Sequence, residues 1–169
     1  YIKPKLSDQQ ALVVGSGPAG LECCLQLARR GYQVTLAEAE NKLGGRVLFE
    51  SNLKGLSAWK RVVDNRVHEI LQKNNIEVYK ESRLTEDHIC ELGIKNIFLA
   101  TGSSWRKDGV GRSRRSPIQG LESIKVYSPE EAVQNHKNIK TPIVVYDDEH
   151  GYLAGVIAAH LKAKNVEVV

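Results

Sequence analysis

The sequence has no methionine and only three cysteines, two tryptophans and two phenylalanines among its 169 residues. Without methionine Tyr1 is no translational start, so the expectation is a processed product or, in the reading adopted, a piece of a longer protein. Cys23 and Cys24 are adjacent and Cys90 stands apart. That excludes a CxxC redox pair, a disulfide framework and a cysteine-held iron-sulfur cluster within these residues. All three thiols read as packing residues. Five histidines are scattered without ligand spacing, so no metal site is predicted. His68, His136 and His160 fall on predicted helices at surface or edge positions. Also missing are the run of about 20 apolar residues that a membrane span needs and a basic-then-apolar leader. The expectation is a soluble, cytoplasmic globule with no membrane partner.

Charge is nearly balanced at +4, with much of the excess in "WRKDGVGRSRR" at 105–115. This stretch has neither interleaved aromatics nor the periodicity of a groove-reading helix, so it reads as a solvated or partner-facing loop, and no nucleic acid is expected. What the chain does have is apolar material, 41% of its residues, enough for a core of ordinary size.

That material alternates between two grammars. "ALVV" (11–14), "QVTL" (33–36), "IEVYK" (76–80) and "NIFLA" (96–100) read as strands. Between them, 18–30 carries Leu21, Cys24, Leu25 and Ala28 at helical spacing up to Gly31. A helix capped by Ser57 carries Ala58, Val62, Val63, Val67, Ile70 and Leu71 up to Asn74 and Asn75, and Thr85 caps a short helix. Ser128, Pro129 and Glu131 open another helix; "PIVVY" (142–146), a helix at 152–163 and "VEVV" (166–169) repeat the opening pattern. Alternation of this kind implies right-handed crossovers and a doubly wound, Rossmann-like α/β parallel sheet.

Gly15, Gly17 and Gly20 form GxGxxG directly after the first strand and at the start of the first helix. The first glycine permits the tight turn, the second leaves a pyrophosphate unobstructed, and the third lets helix and strand approach. Free amides and the helix dipole favour phosphate there. Glu38, at the end of the second strand, stands where a carboxylate accepts ribose hydroxyls, and it would repel a 2′-phosphate; Glu40 is the alternative. "LGGR" adds Gly44, Gly45 and Arg46, either a second phosphate-side loop or an ordinary one. "FLATGS" brings a strand into Thr101 and Gly102, where a small turn can approach a nucleotide.

With these motifs in order, the chain resembles the FAD and NAD(P) domain of the pyridine nucleotide-disulfide oxidoreductases. More narrowly, "ATGSSWRKDG" (100–109), "SPIQG" (116–120) and "YDDEHGYLAGVIAAHL" (146–161) are similar to the C-terminal region of the trimethylamine dehydrogenase group. That group includes dimethylamine and histamine dehydrogenases and is related to 2,4-dienoyl-CoA reductase. The resemblance implies an upstream barrel domain with FMN and an iron-sulfur cluster, and FAD or ADP in this region. No catalytic residue is then expected here, and the excised piece is expected to be inactive. By motif, Gly15, Ser16, Gly17, Pro18 and Gly20 would hold the pyrophosphate and Glu38 the ribose. Gly45 and Arg46 would flank the phosphates, Arg83 and Leu84 would pass the adenine, and Thr101 and Gly102 would close the site. The expected divisions are a connector at 1–10, the nucleotide-binding domain at 11–140 and a degenerate second nucleotide half starting at 141–169.

The second half departs from the pattern. Asp147, Asp148, Glu149 and His150 stand where glycines would receive a nicotinamide nucleotide. Carboxylates facing a pyrophosphate repel it by on the order of 1 kcal/mol for each close pair. The expectation is therefore that this half does not bind NAD(P)H in the usual way, and that electrons pass to a separate acceptor protein. The alternatives are an NAD(P)H-dependent dienoyl or enoate reductase, and a non-redox module that holds ADP for assembly.

Overall fold

The structure is a computed structural model in which residues 9–169 are described; the connector expected at 1–10 lies outside them but for Gln9 and Gln10. The apolar run after Gln9 forms β1, Gln10–Val14, with Ala11, Leu12 and Val13 fully buried. α1, Pro18–Arg29, starts from an extended Gly17 with Pro18 in its first turn, where a missing N–H breaks no helical bond. Leu21, Cys24, Leu25 and Ala28 recur on one face and are all buried. Gly31, at φ 94°, ends the helix: its amide reaches the Ala28 carbonyl at 3.0 Å while the Tyr32 amide donates to the Leu27 carbonyl at 3.2 Å. Those two bonds make a Schellman motif.

β2 (Gln33–Ala37), β3 (Ile76–Tyr79) and β4 (Asn96–Leu99) complete a parallel sheet of order β3-β2-β1-β4. Val13 lies opposite Leu36 on one side and Phe98 on the other, and Leu36 lies opposite Val78. The chain thus winds outward from β1 through β2 to β3, then returns to the far side of β1 to form β4. Strand order reverses between β1 and β4, which opens a crevice at their carboxyl ends.

A short helix α2 (Val47–Glu50) precedes α3, Lys60–Leu71, which a 3₁₀ turn at Ser57–Trp59 introduces. Ser57 was expected to cap this helix. It lies inside the 3₁₀ turn instead, and neither that turn nor α3 has a side-chain cap. The apolar face is also narrower than the expected stripe: Val63 and Ile70 are buried, whereas Val62 and Leu71 are 42% and 68% exposed. Each of these lies about 100° around the helix from its buried neighbour. α3 rests on α1 through the core and through two ion pairs, Arg66 to Glu22 at 2.6 Å and Arg29 to Glu69 at 2.5 Å.

α4, Glu86–Glu91, begins with a capping box in which Thr85 and His88 exchange hydrogen bonds at 3.3 Å. It buries no residue, and Cys90 on it is exposed. Packing therefore describes Cys24, which is buried, and in part Cys23, but it fails for Cys90.

The chain divides into two compact units, one reaching Gly102 and the other Ser103–Val169. In the second, Ser128 caps α5 (Pro129–Gln134) through a capping box with Glu131, and α6 (Tyr152–Ala163) buries Ile157 and Leu161. The strands expected at 142–146 and 166–169 contract to one parallel bridge between Ile143 and Val168. Two short segments, with no further strand beside them among the described residues, make a marginal ladder. Among the described residues no helix is long and apolar enough to cross a membrane.

Candidate functional site

The crevice at the ends of β1 and β4 is where the sequence motifs meet. Gly15, at φ 100°, turns the chain out of β1, and a Cβ there would lie 2.4 Å from the Ala100 carbonyl oxygen and 3.1 Å from the Thr101 Cα. The segment that follows β4 therefore abuts the first turn. Gly20 is as tightly enclosed, since its Cβ would fall 1.9 Å from the Gly15 carbonyl oxygen. Gly17 differs: a Cβ there would meet nothing within 4 Å. The three glycines occupy three environments, a turn against β4, an open approach, and a helix-to-strand contact.

The second glycine loop is stitched to the first. The Gly44 amide donates to the Ser16 carbonyl at 2.9 Å, and a Cβ on Gly45 would sit 3.0 Å from the Gly17 Cα. Arg46 follows directly as the residue that starts α2. Thr101 and the left-handed Gly102 follow Ala100, whose amide donates to the Val14 carbonyl at 2.8 Å. α1 is twelve residues long, has no side-chain cap and carries no acidic residue in its first turn. Its initial amides and positive dipole end thus face the open side of Gly17 without a competing carboxylate from the helix itself.

Glu38 leaves β2 beside this loop and is 8% exposed. Its Oε2 accepts from the Ser16 amide at 2.8 Å and from the Ser16 hydroxyl at 2.5 Å, while Oε1 accepts from the Glu40 amide at 2.9 Å. Burial pushes this carboxyl up, but the Ser16 hydroxyl and the amides of Glu40, Ser16 and Ala39 outweigh it and hold Glu38 below the usual carboxylate range. Of the two acids that the sequence offered, Glu38 has its carboxylate on the glycine loop, and Glu40 supplies only its amide. Downstream, the Ser82 amide bonds to the Glu38 carbonyl at 2.8 Å and the Glu81 amide to the Glu40 carbonyl at 3.1 Å. That pairing carries exposed Arg83 and half-buried Leu84 past the same end of the sheet.

Gly15, Ser16, Gly17, Pro18, Gly20, Glu38, Gly45, Thr101 and Gly102 are therefore brought together, with Arg46, Arg83 and Leu84 on adjoining segments. Sequence reasoning missed the pairing of Ser16 with Glu38. The two lie 22 positions apart, and no spacing rule connects a loop serine to an acid on the neighbouring strand. Gly44 was also undervalued: it is buried, and a Cβ there would press within 2.9 Å of Leu48 and Val63.

The acidic loop of the second unit is organised by its own carboxylates. Asp147 accepts from the amides of Glu149 at 3.2 Å and His150 at 3.0 Å. Asp148 accepts from the Ser113 amide at 2.9 Å and the Tyr146 hydroxyl at 3.1 Å, and its carboxyl is held low chiefly by the Ser113 bond. The basic stretch is likewise engaged in part: Arg106 pairs with Asp108, Lys107 with Glu131, and the Arg114 guanidinium donates to the Ser116 carbonyl.

Comparison with known proteins agrees with this fold. Residues 9–146 match the family model for pyridine nucleotide-disulphide oxidoreductases. Dimethylamine dehydrogenase of Hyphomicrobium sp. (strain x) is 33% identical over 163 residues, which cover 92% of this chain and 22% of that protein. Histamine dehydrogenase from Rhizobium sp. 4-9 superposes with a TM-score of 0.90 at 43% identity, over 99% of this chain and 26% of that one. The 6-hydroxypseudooxynicotine amine oxidase from Pseudomonas geniculata N1 gives 0.85 at 38% identity, over 95% and 24%. The chain thus spans about a quarter of the length of these relatives.

Proposed function

Since the chain belongs to the pyridine nucleotide-disulphide oxidoreductase family, we propose that it is the FAD- or ADP-binding region of an amine-oxidising flavoenzyme. One observation carries this reading: three glycine-containing motifs from separate parts of the sequence meet beside Glu38 at the point where strand order reverses. Likeness to dimethylamine and histamine dehydrogenases supports an amine as the substrate class.

The residues fit an adenine dinucleotide. The open face of Gly17 and the uncapped start of α1 offer donors to a pyrophosphate, with Gly45 and Arg46 beside them. Glu38, kept ionised, offers acceptors to the ribose hydroxyls and would repel a 2′-phosphate. Arg83 and Leu84 flank the adenine, and Thr101 and Gly102 close the crevice. A flavin in such a place supplies hydride or electron transfer; an ADP supplies none.

These residues bind and orient; they include no acid-base pair beside the crevice that could take a substrate proton. In this reading amine oxidation belongs to a part of the protein outside this chain, with FMN and an iron-sulfur cluster proposed there. The acidic 147–149 loop makes the second half a poor nicotinamide site, so electrons leave to a separate acceptor protein. Denaturing the purified full-length protein and identifying the released nucleotides by mass and visible spectrum tests the reading. FAD or ADP in stoichiometric amount supports it, and release of no adenine nucleotide overturns it.

A further inference from the structure

Ser16 lies in the loop between β1 and α1, yet its side chain is fully buried. Its hydroxyl donates to Glu38 Oε2 at 2.5 Å, and it is only loosely approached by the Gly44 amide at 3.4 Å. The Ser16 amide is committed to the same carboxylate oxygen at 2.8 Å, and the Glu40 amide fixes the other oxygen at 2.9 Å. Three hydrogen bonds thus hold both oxygens, and the Ala39 amide adds to them. The direction of the carboxylate is set before any ligand arrives.

We propose that Ser16 is a positioning residue: it aims the Glu38 carboxylate at the ribose and thereby sets the preference for ribose over 2′-deoxyribose, instead of touching the pyrophosphate. The proposal rests on the nucleotide site described above. A glutamate free to sample its rotamers would lose that freedom on meeting a ribose, and the hydroxyl removes the loss in advance. The same hydroxyl also keeps the carboxylate charged. The pyrophosphate is left to the open side of Gly17, whose backbone Glu38 does not occupy.

The test is calorimetric titration of the nucleotide-free full-length protein with ADP and 2′-deoxy-ADP. Wild type should prefer ADP by about tenfold, and Ser16→Ala should reduce that preference about fivefold by weakening ADP alone. Ser16→Cys keeps the side chain's shape while donating poorly, and it should show the same reduction; it serves if the alanine variant does not fold. An undiminished preference in a folded variant, or equal weakening of both nucleotides, overturns the positioning role. If wild type binds ADP without preferring it, the ribose role of Glu38 falls together with that of Ser16. If wild type binds neither nucleotide, the reading of the crevice itself falls, and the proposal with it.

Discussion

At the scale of single residues, Gly17 and Gly20 make opposite predictions although they are three positions apart. An alanine at Gly20 would drive its Cβ to 1.9 Å from the Gly15 carbonyl oxygen. Gly20→Ala should therefore destabilise the fold by about 3 kcal/mol or more, read as a lower midpoint in urea. Gly17→Ala meets open space at an ordinary φ of −62°, so it should cost within about 1 kcal/mol, the usual preference of a helix start for glycine over alanine. Its ADP affinity should nonetheless fall at least about tenfold, because the methyl group occupies the approach assigned to the pyrophosphate. Equal effects of the two substitutions on stability would contradict the geometry. Glu38 adds a pH dependence. Its pKa in the folded chain lies below its ordinary 4.5, so the stability it contributes is present above that value and is lost as pH falls through the lower folded value. Acid titration of unfolding should show this loss in wild type and less of it in Glu38→Gln. The three glycines and Glu38 could be read from sequence because each answers a local demand of turn, helix start or strand end. The Ser16 to Glu38 bond could not, since it depends on the pairing of β1 with β2.

At the scale of elements, helices that carry their own punctuation were legible. α1 has Pro18 and Gly31, α4 has Thr85, and α5 has Ser128 with Glu131; all three lie where those residues put them. Ser57 before α3 shows the limit, because a serine near a helix start is a cap only if the backbone there is extended, and the chain instead makes a 3₁₀ turn. The strands at 142–146 and 166–169 show another. Apolar β-branched runs need partners to become a ladder, and sequence does not say whether partners are present. Asn75 was read as the end of a helix, but its structural part is larger. Its amide nitrogen donates to the carbonyls of Ala28 and Tyr32, both at 2.9 Å, joining the entry of β3 to the end of α1. Asn75→Ala strips both carbonyls of a donor at a half-buried junction, and it should cost about 1–3 kcal/mol in chemical denaturation. Asn75→Asp should do no better, since a carboxylate has nothing to donate to two carbonyls.

At the scale of the whole molecule, the fold class and the meeting of the glycine motifs at one crevice were legible because they are local to about a hundred residues that β1–β4 bring together. The reaction was not legible in the residues themselves, because the chain spans about a quarter of its relatives and, among the described residues, no acid-base pair stands beside the crevice. What the chain does contribute to that question is the loop at 147–150. Asp147 is used to shape its own turn and Asp148 to hold the Ser113 loop, so moving these carboxylates aside for a dinucleotide would break the bonds that organise the segment. Electrostatic repulsion and this structural cost act in the same direction. On the proposed function, anaerobic titration of the full-length protein with NADH or NADPH should leave the flavin spectrum unchanged on the timescale of turnover, whereas a suitable secondary or primary amine should bleach it. Rapid bleaching by either nicotinamide nucleotide would mean that the second half accepts one despite its acidic loop. The protein would then belong with the reductases that draw electrons from NAD(P)H, and the direction of electron flow proposed for it would be reversed.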